Sequence, residues 1–153
     1  MPVKVGVLSD THDILGKDVI DALSGCSYIL HAGDVTSERI LDRLRPLGRL
    51  YLVRGNNDYG RWAEGLHRKL KFQIEGVSFV MVHEQFRLGR DASEADIAIF
   101  GHTHTYSCAR EKGRIRLNPG SCSEPRYLQP RSIAILTIDG GHVTDIRKIE
   151  FPG

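Results

Sequence analysis

Cysteine is scarce and poorly placed for structural use. Cys26, Cys108 and Cys122 form an odd set with no CxxC spacing. That excludes a disulfide framework and a thiolate zinc site and leaves small, buried, apolar side chains as their reading. No stretch approaches the ~20 apolar residues that a membrane span requires. From Pro2 onward the chain enters a short apolar run without a signal-type core or cleavage site, so the expected address is the cytoplasm, with no membrane partner. Lys and Arg number 21 against 19 Asp and Glu, and no basic block stands ready to track a phosphate backbone, so no specific nucleic-acid binding is expected. Neither a GxGxxG after the first apolar run nor a GxxxxGK[ST] occurs, which excludes a dinucleotide-binding fold and a P-loop. Internal repeats, linkers and low-complexity segments are missing as well. What is present is ordinary for a globular chain: 153 residues, 41% hydrophobic and 26% charged, expected to fold as a single domain over 1–153.

The apolar pattern changes character along the chain. Val3 to Leu8 reads as a buried strand, Ile14 to Leu23 as an amphipathic helix, Tyr28 to Leu30 as a strand, Ser37 as the cap of a helix reaching Arg45, and Arg49 to Val53 as a third strand. Beyond this β-α-β-α-β opening, Lys69 to Ile74 and Val77 to Val82 flank Glu75-Gly76 as a hairpin, and Ile97 to Phe100 is another buried strand. Short strands follow from Tyr106, punctuated by Lys112-Gly113, Pro119-Gly120 and Gly140-Gly141, the clearest being Ile133 to Ile138 and Val143 to Ile149. Parallel β-α-β units followed by antiparallel segments predict an α/β fold: two mixed β-sheets packed as a sandwich with helices outside.

Polar residues cluster where five of these strands end: Asp10-Thr11-His12, Gly33-Asp34, Gly55-Asn56-Asn57-Asp58, His83, and Gly101-His102-Thr103-His104. The carboxyl ends of parallel strands line the ligand crevice of open α/β sheets, so residues distant in sequence are expected to converge on one edge. Asp10 and His12 are two apart, as are His102 and His104, and on an extended backbone that spacing aims both side chains to one face. Gly33, Gly55 and Gly101 would allow sharp turns there. Carboxylate, imidazole and amide without thiolate suit Mn, Fe, Co, Ni or Zn better than a structural zinc site or a calcium cage. The seven donors Asp10, His12, Asp34, Asn56, His83, His102 and His104, with one carboxylate shared, supply four ligands to each of two ions. Two dications, two carboxylates and one hydroxide would leave a single positive charge, suited to an anionic substrate such as a phosphate ester.

These motifs occur in the order found in the calcineurin-like metallophosphoesterases, and the chain resembles that superfamily over roughly residues 5 to 121. Its short length, its GHxH motif and Asn118-Pro119-Gly120-Ser121 look most like the small phosphodiesterase branch, which also includes the retromer-subunit-like scaffold proteins. The resemblance implies one metal held by Asp10, His12, Asp34 and His104 and a second held by Asp34, Asn56, His83 and His102, with Asp34 as the bridge. It implies the same two-sheet fold and hydrolysis of a small phosphodiester by a hydroxide bridging two divalent ions, Mn first, with Ni, Zn, Fe or Co as alternatives. Asp34, Asn56, Asp58 and His102 are then the expected catalytic group, and Asn56 and Asn57 the substrate contacts. Asp58 and His31 are expected to hold ligands in place rather than bind metal.

Three positions depart from that pattern. Asn57 stands where many relatives carry His and the small branch often carries Cys, and an amide cannot act as a general acid. Esters with good leaving groups should therefore be cleaved best. Glu84-Gln85 after His83, and Asp13 after His12, would bring extra carboxylates to the mouth of the site. Tyr59 and Trp62 are open to substrate stacking or loop packing, and Arg126 and Arg131 to a second phosphate contact or plain surface charge. The 59–66 and 84–94 loops are the segments available as a lid or substrate wall. His67 and His142 read as surface or turn residues. Two other functions remain open at this point: a non-catalytic metal-binding interaction scaffold, and a phosphomonoesterase. A homo-oligomer is compatible with the sequence.

Overall fold

The computed structural model describes residues 2–126 and 128–153. Strand β1 (Val3–Leu8), helix α1 (Lys17–Leu23), β2 (Tyr28–His31), α2 (Glu38–Leu44) and β3 (Arg49–Leu52) come first. The short helix α3 (Arg61–Glu64), β4 (Lys69–Ile74), β5 (Val77–Val82), the short helix α4 (Asp91–Glu94) and β6 (Ile97–Ile99) follow. The chain closes with β7 (Ser107–Glu111), β8 (Arg114–Asn118), β9 (Arg131–Asp139) and β10 (His142–Phe151). The strands form two five-stranded sheets, ordered β10-β9-β1-β2-β3 and β4-β5-β6-β8-β7. This is the expected α/β sandwich of two mixed sheets. In the first sheet β1, β2 and β3 are parallel, with β9 antiparallel to β1 and β10 antiparallel to β9. In the second, β5, β6 and β8 are parallel, with β4 and β7 added antiparallel at the edges.

The alternation of side chains along each strand accounts for the layering. Val5 and Val7 of β1 point between the sheets and meet Phe79, Met81, Ile97, Ile99 and Leu117 of the second sheet. Leu8 of β1 faces outward, with Ile29 and Ile133, onto Val19 and Leu23 of α1 and Ile40, Leu41 and Leu44 of α2. On the far side of the second sheet, Val80, Val82, Ala98 and Phe100 are covered by Leu88, Ala92 and Ala95 around α4. The hairpin β4–β5 has the expected bounds, and Glu75 and Gly76 both adopt positive φ, the conformation a tight hairpin turn needs.

The structure corrects several expectations. Helix α1 begins at Lys17, three residues later than the periodicity suggests, because Asp13 is left-handed and turns Ile14 out to solvent; Leu15 is buried ahead of the helix. Ser37 precedes α2 but makes no side-chain capping bond. β3 stops at Leu52 and β6 at Ile99, one residue short. Cys26 and Cys122 are buried as expected, whereas Cys108 lies exposed on the edge strand β7.

Leu117 is fully buried between the sheets, while Phe86 is 75% exposed. Leu117→Ala should destabilise the protein by about 2–5 kcal/mol, and Phe86→Ala by less than about 0.5 kcal/mol, in urea unfolding.

Candidate metal centre

Six parallel strands, three in each sheet, carry their carboxyl ends toward one edge, and the loops leaving them are stitched together by backbone. Asp10 N–H donates to Gly33 O at 3.0 Å, His12 N–H to Asp34 O at 3.1 Å, and Gly101 N–H to His83 O at 3.0 Å. Around this edge Asp10 Oδ1 lies 3.3 Å from His104 Nε2, 3.6 Å from His83 Nε2 and 3.7 Å from His12 Nε2. Asp34 Oδ2 lies 3.3 Å from His83 Nε2 and 3.4 Å from His12 Nε2. Two compact donor groups result, Asp10/His12/His104 and Asp10/Asp34/His83, so that here the Asp10 carboxylate belongs to both. At the rim, Asn56 Oδ1 and His102 Nδ1 are 3.1 Å apart. About 3 Å is also the edge between adjacent donors that each sit ~2.1 Å from one ion.

The donor atoms are oriented as ligands. Asp10 Oδ1, His12 Nε2 and His83 Nε2 are buried with no hydrogen-bond partner among the described residues, an expensive arrangement for polar atoms unless something binds them. His83 donates Nδ1–H to Ala32 O at 2.7 Å, and His104 donates Nδ1–H to Glu124 O. Both rings are thereby fixed in the tautomer that turns the Nε2 lone pair toward the carboxylates, as in imidazole ligands held by backbone carbonyls. An all-oxygen and nitrogen set with inward lone pairs fits divalent ions of the Mn-to-Zn series.

The route by which these side chains converge differs from the extended backbone expected for Asp10-x-His12 and His102-x-His104. Asp10, His12, Asp34, His102 and His104 all have positive φ, between 45° and 73°. Left-handed backbone costs a non-glycine residue roughly 1–2 kcal/mol, and Asp and His tolerate it better than most. Each loop therefore curls sharply after its strand instead of continuing the pleat. Gly33 provides such a turn with φ of 102°. Gly55 and Gly101 serve differently: a Cβ on Gly55 would fall on Asp34, and one on Gly101 on Ser9 and Asp10.

Around the donors is a layer of polar supports. Ser9 Oγ donates to Asp10 Oδ2 at 2.7 Å and His102 N–H to the same oxygen at 3.0 Å. Asp58, buried, accepts Asp34 N–H at 2.9 Å, Gly55 N–H at 2.7 Å and Thr36 N–H at 2.8 Å, the loop-fixing placement anticipated for it. His31 accepts Gly33 N–H on Nδ1 at 3.0 Å and donates Nε2–H to Thr11 Oγ1 at 3.2 Å. Asn57 donates its backbone N–H to Asp34 Oδ1 at 2.8 Å and its amide to Asp34 Oδ2 at 2.9 Å. Sequence reasoning missed three supports. Ser9 is one; Ser121 Oγ donates to Asp10 O at 2.8 Å; Asn118 Nδ2 donates to Gly101 O at 3.2 Å and to Thr103 Oγ1 at 3.0 Å. Their signal was available, since Asn118 ends the sixth parallel strand and Ser9 follows the first.

The electrostatics follow from this packing. Burial alone would raise the Asp10 carboxyl, but His104, His12, His83 and the Ser9 hydroxyl outweigh it and hold the group far below the carboxylate range. Asp34 is likewise pushed up by burial, yet His83 and the two Asn57 donors bring it below its ordinary value. In return the carboxylates raise His12 and His104, chiefly through Asp10. For His83, burial opposes the rise and Asp34 and Asp10 overcome it. Protons compete with cations for these nitrogens. His31 is the exception, pushed down to about 4 by complete burial.

Other candidates fall outside the cluster. Arg131 pairs with Asp18 and donates to Pro152 O at 2.8 Å, so it is not a phosphate contact. Asp13 is engaged by Arg39 at 2.9 and 2.7 Å, and Glu84 by Arg87 at 3.1 Å, so neither extra carboxylate stands unpaired at the mouth. Trp62 packs against the α1/α2 core, while Tyr59 is exposed. Arg126 lies beside His104, its backbone N–H on that residue's carbonyl at 3.4 Å. His67 and His142 stand away from the donors; His67 accepts Arg54 N–H through its backbone at 2.8 Å, and His142 opens β10.

Comparison with known proteins is consistent with this geometry. The family model for the calcineurin-like phosphoesterase superfamily domain matches residues 3–141. The chain belongs to this superfamily. A protein of Methanothermobacter thermautotrophicus named "Probable metallophosphoesterase" is 35% identical over 150 residues, covering 89% of this chain and 86% of its own. A Methanocaldococcus jannaschii protein named as a phosphodiesterase is 24% identical, covering 78% and 84%. The structure titled as a novel archaeal phosphodiesterase superposes with a TM-score of 0.80 at 25% identity, covering 97% and 100%. Vacuolar protein sorting 29 of Cryptosporidium parvum shares the fold at a TM-score of 0.77 and 19% identity, covering 99% of each chain. This superfamily member thus joins a metal-dependent family to a set of candidate metal ligands on one sheet edge, and among its described residues no helix is long and apolar enough to cross a membrane.

His31 provides a pH test of the supporting layer. With a folded value near 4 against about 6.5 unfolded, neutral His31 contributes stability above pH 6.5 that is lost as pH falls toward 4. The loss reaches about 3 kcal/mol. In urea unfolding, the drop in stability between pH 7 and pH 4.5 should shrink in His31→Gln, whatever that variant's absolute stability.

Proposed function

We propose that this superfamily member hydrolyses phosphodiesters at a centre of two divalent ions, manganese first among the candidates. The observation that carries the reading is the trio of buried donor atoms, Asp10 Oδ1, His12 Nε2 and His83 Nε2, that have no hydrogen-bond partner among the described residues. One ion would be held by Asp10, His12, Asp34 and His104, and the other by Asp34, Asn56, His83 and His102, with Asp34 shared. Paired divalent ions, when bound, supply the Lewis acidity that activates water and stabilises the charge of an in-line displacement at phosphorus.

The chain's own residues orient that chemistry. Asp58 and Asn57 fix Asp34 from two sides, Ser9 fixes Asp10, and backbone carbonyls fix His83 and His104. Because Arg39 and Arg87 neutralise Asp13 and Glu84, the mouth keeps the positive balance that an anionic diester needs. Asn57 directs its amide at Asp34 and has no proton to give a leaving group. Diesters with good leaving groups are therefore the substrates it handles best, and dianionic monoesters, which gain most from an acid, the poorer ones. The relative named as a phosphodiesterase supports the same choice.

Metal-stripped protein reconstituted with Mn²⁺, Ni²⁺, Zn²⁺ or Mg²⁺ should hydrolyse an activated aryl phosphodiester, with Asp34→Asn slower by at least about 100-fold. Binding of two ions per chain without turnover would replace this reading with that of a metal-binding scaffold. Asn57→His should raise turnover of an alkyl phosphodiester about 10- to 100-fold while changing the aryl ester little. Equal effects on both esters would show that a missing acid is not what limits the enzyme.

A further inference from the structure

Beside the metal centre, on the outer face of the second sheet, runs a groove of 410 Å³. Its inner end is formed by Phe100 and Thr103, which bracket Gly101 and His102, and its floor by Thr105, Ser107 and Ala109. Arg116 of β8 closes the outer end. The Arg116 side chain is exposed and, among the described residues, its guanidinium has neither ion pair nor hydrogen bond. It also borders a second hollow with Lys112, Arg114 and Glu111, two basic side chains against one acidic. Arg114 is already committed to Ala95 O at 2.9 Å, which leaves Arg116 as the guanidinium that lines both cavities. An apolar trough that starts at a ligand loop and ends at a free guanidinium has the charge and shape of a seat for one arm of a substrate.

We propose that this groove holds the non-scissile arm of the phosphodiester, and that Arg116 selects substrates bearing a second anionic group on that arm. The inference rests on the phosphodiesterase reading and gives it a substrate class. Arg116 is paired with Ala98 in register, four residues before His102. The second charge therefore belongs at the end of the groove away from the ligand loop. The arm between the two charges is apolar, lying along Phe100 and Ala109, with the hydroxyls of Thr105 and Ser107 at its side. A carboxylate or phosphate at its end would make charge-assisted, bidentate hydrogen bonds to Arg116.

The test uses two p-nitrophenyl phosphodiesters with the same six-carbon second arm, one ending in a carboxylate and the other in its methyl ester, on the Mn²⁺-loaded protein. Arg116→Gln should raise KM for the carboxylate substrate by about tenfold, with kcat unchanged and no effect on the ester. Arg116→Lys should recover part of the loss, since it keeps the charge but not the fork. The corresponding non-hydrolysable phosphonates are titrated by calorimetry in parallel, so that binding is read without turnover. Preference for the carboxylate phosphonate that disappears in Arg116→Gln supports the subsite even if hydrolysis fails. Equal binding of both phosphonates, or a preference unchanged in the variant, overturns it even if hydrolysis proceeds.

Discussion

Everything at the site is organised around one buried carboxylate. A charge at the position of Asp10 loses its hydration, and removing a carboxylate from water costs several kcal/mol unless close partners replace it. Those partners come from every direction: the Ser9 hydroxyl and His102 N–H on one oxygen, and the imidazoles of His12, His83 and His104 around the other. They belong to loops of both sheets. The sandwich core of Val5 and Val7 against Phe79, Met81, Ile97 and Ile99 is therefore more than a source of hydrophobic stability. It fixes the sheets so that His83 from the second can reach Asp10 and Asp34 from the first. A small slip between the layers would separate the donors before it exposed much apolar surface.

The elements that were legible in the sequence were those with a clean period and a punctuating turn. Lys69 to Val82 could be read to the residue because two apolar-patterned runs flank Glu75-Gly76. The start of α1 could not, because Ile14 continues the helical spacing of apolar residues while tertiary structure leaves it exposed after the left-handed turn at Asp13. Periodicity reports where an apolar side chain would be useful, and burial is settled by the loop that delivers it. Arg131, open in sequence to a phosphate contact or to plain surface charge, is settled in the same way: it lies close to Asn118-Pro119-Gly120-Ser121 along the chain, but β9 carries its side chain to Asp18 and Pro152.

At the site itself, the chemical identity of the donors was legible because Asp, His and Asn right after apolar strands are conspicuous. The way they converge was not. Nothing in Asp10-x-His12 announces that both residues are left-handed, and the pattern reads equally well as a continuing strand. The supports were hidden for the opposite reason, since Ser9, Asn118 and Ser121 are common residue types whose importance appears only in their partners. Asp10 also turned out to sit within reach of all the inward imidazoles, whereas family resemblance directs attention to Asp34 as the shared group.

Backbone strain and facing lone pairs mark this edge as a built site rather than a plain docking surface. Five left-handed donors at roughly 1–2 kcal/mol each represent a cost comparable to the net stability of a small domain. Strain of this kind persists where surrounding structure enforces it, and it concentrates at sites that must hold a fixed constellation. A surface used only to dock a partner has no need to bury lone pairs facing one another, and replacing His12 by an apolar residue or Asp34 by Asn would relieve the desolvation. This chain retains all seven donors and adds Asp58, Asn57 and Ser9 to hold them. Cations bound at these lone pairs would recover the free energy stored there. Asn57 shows the same logic: its backbone N–H and amide stiffen Asp34, at a position where a histidine would offer a transferable proton that an amide lacks.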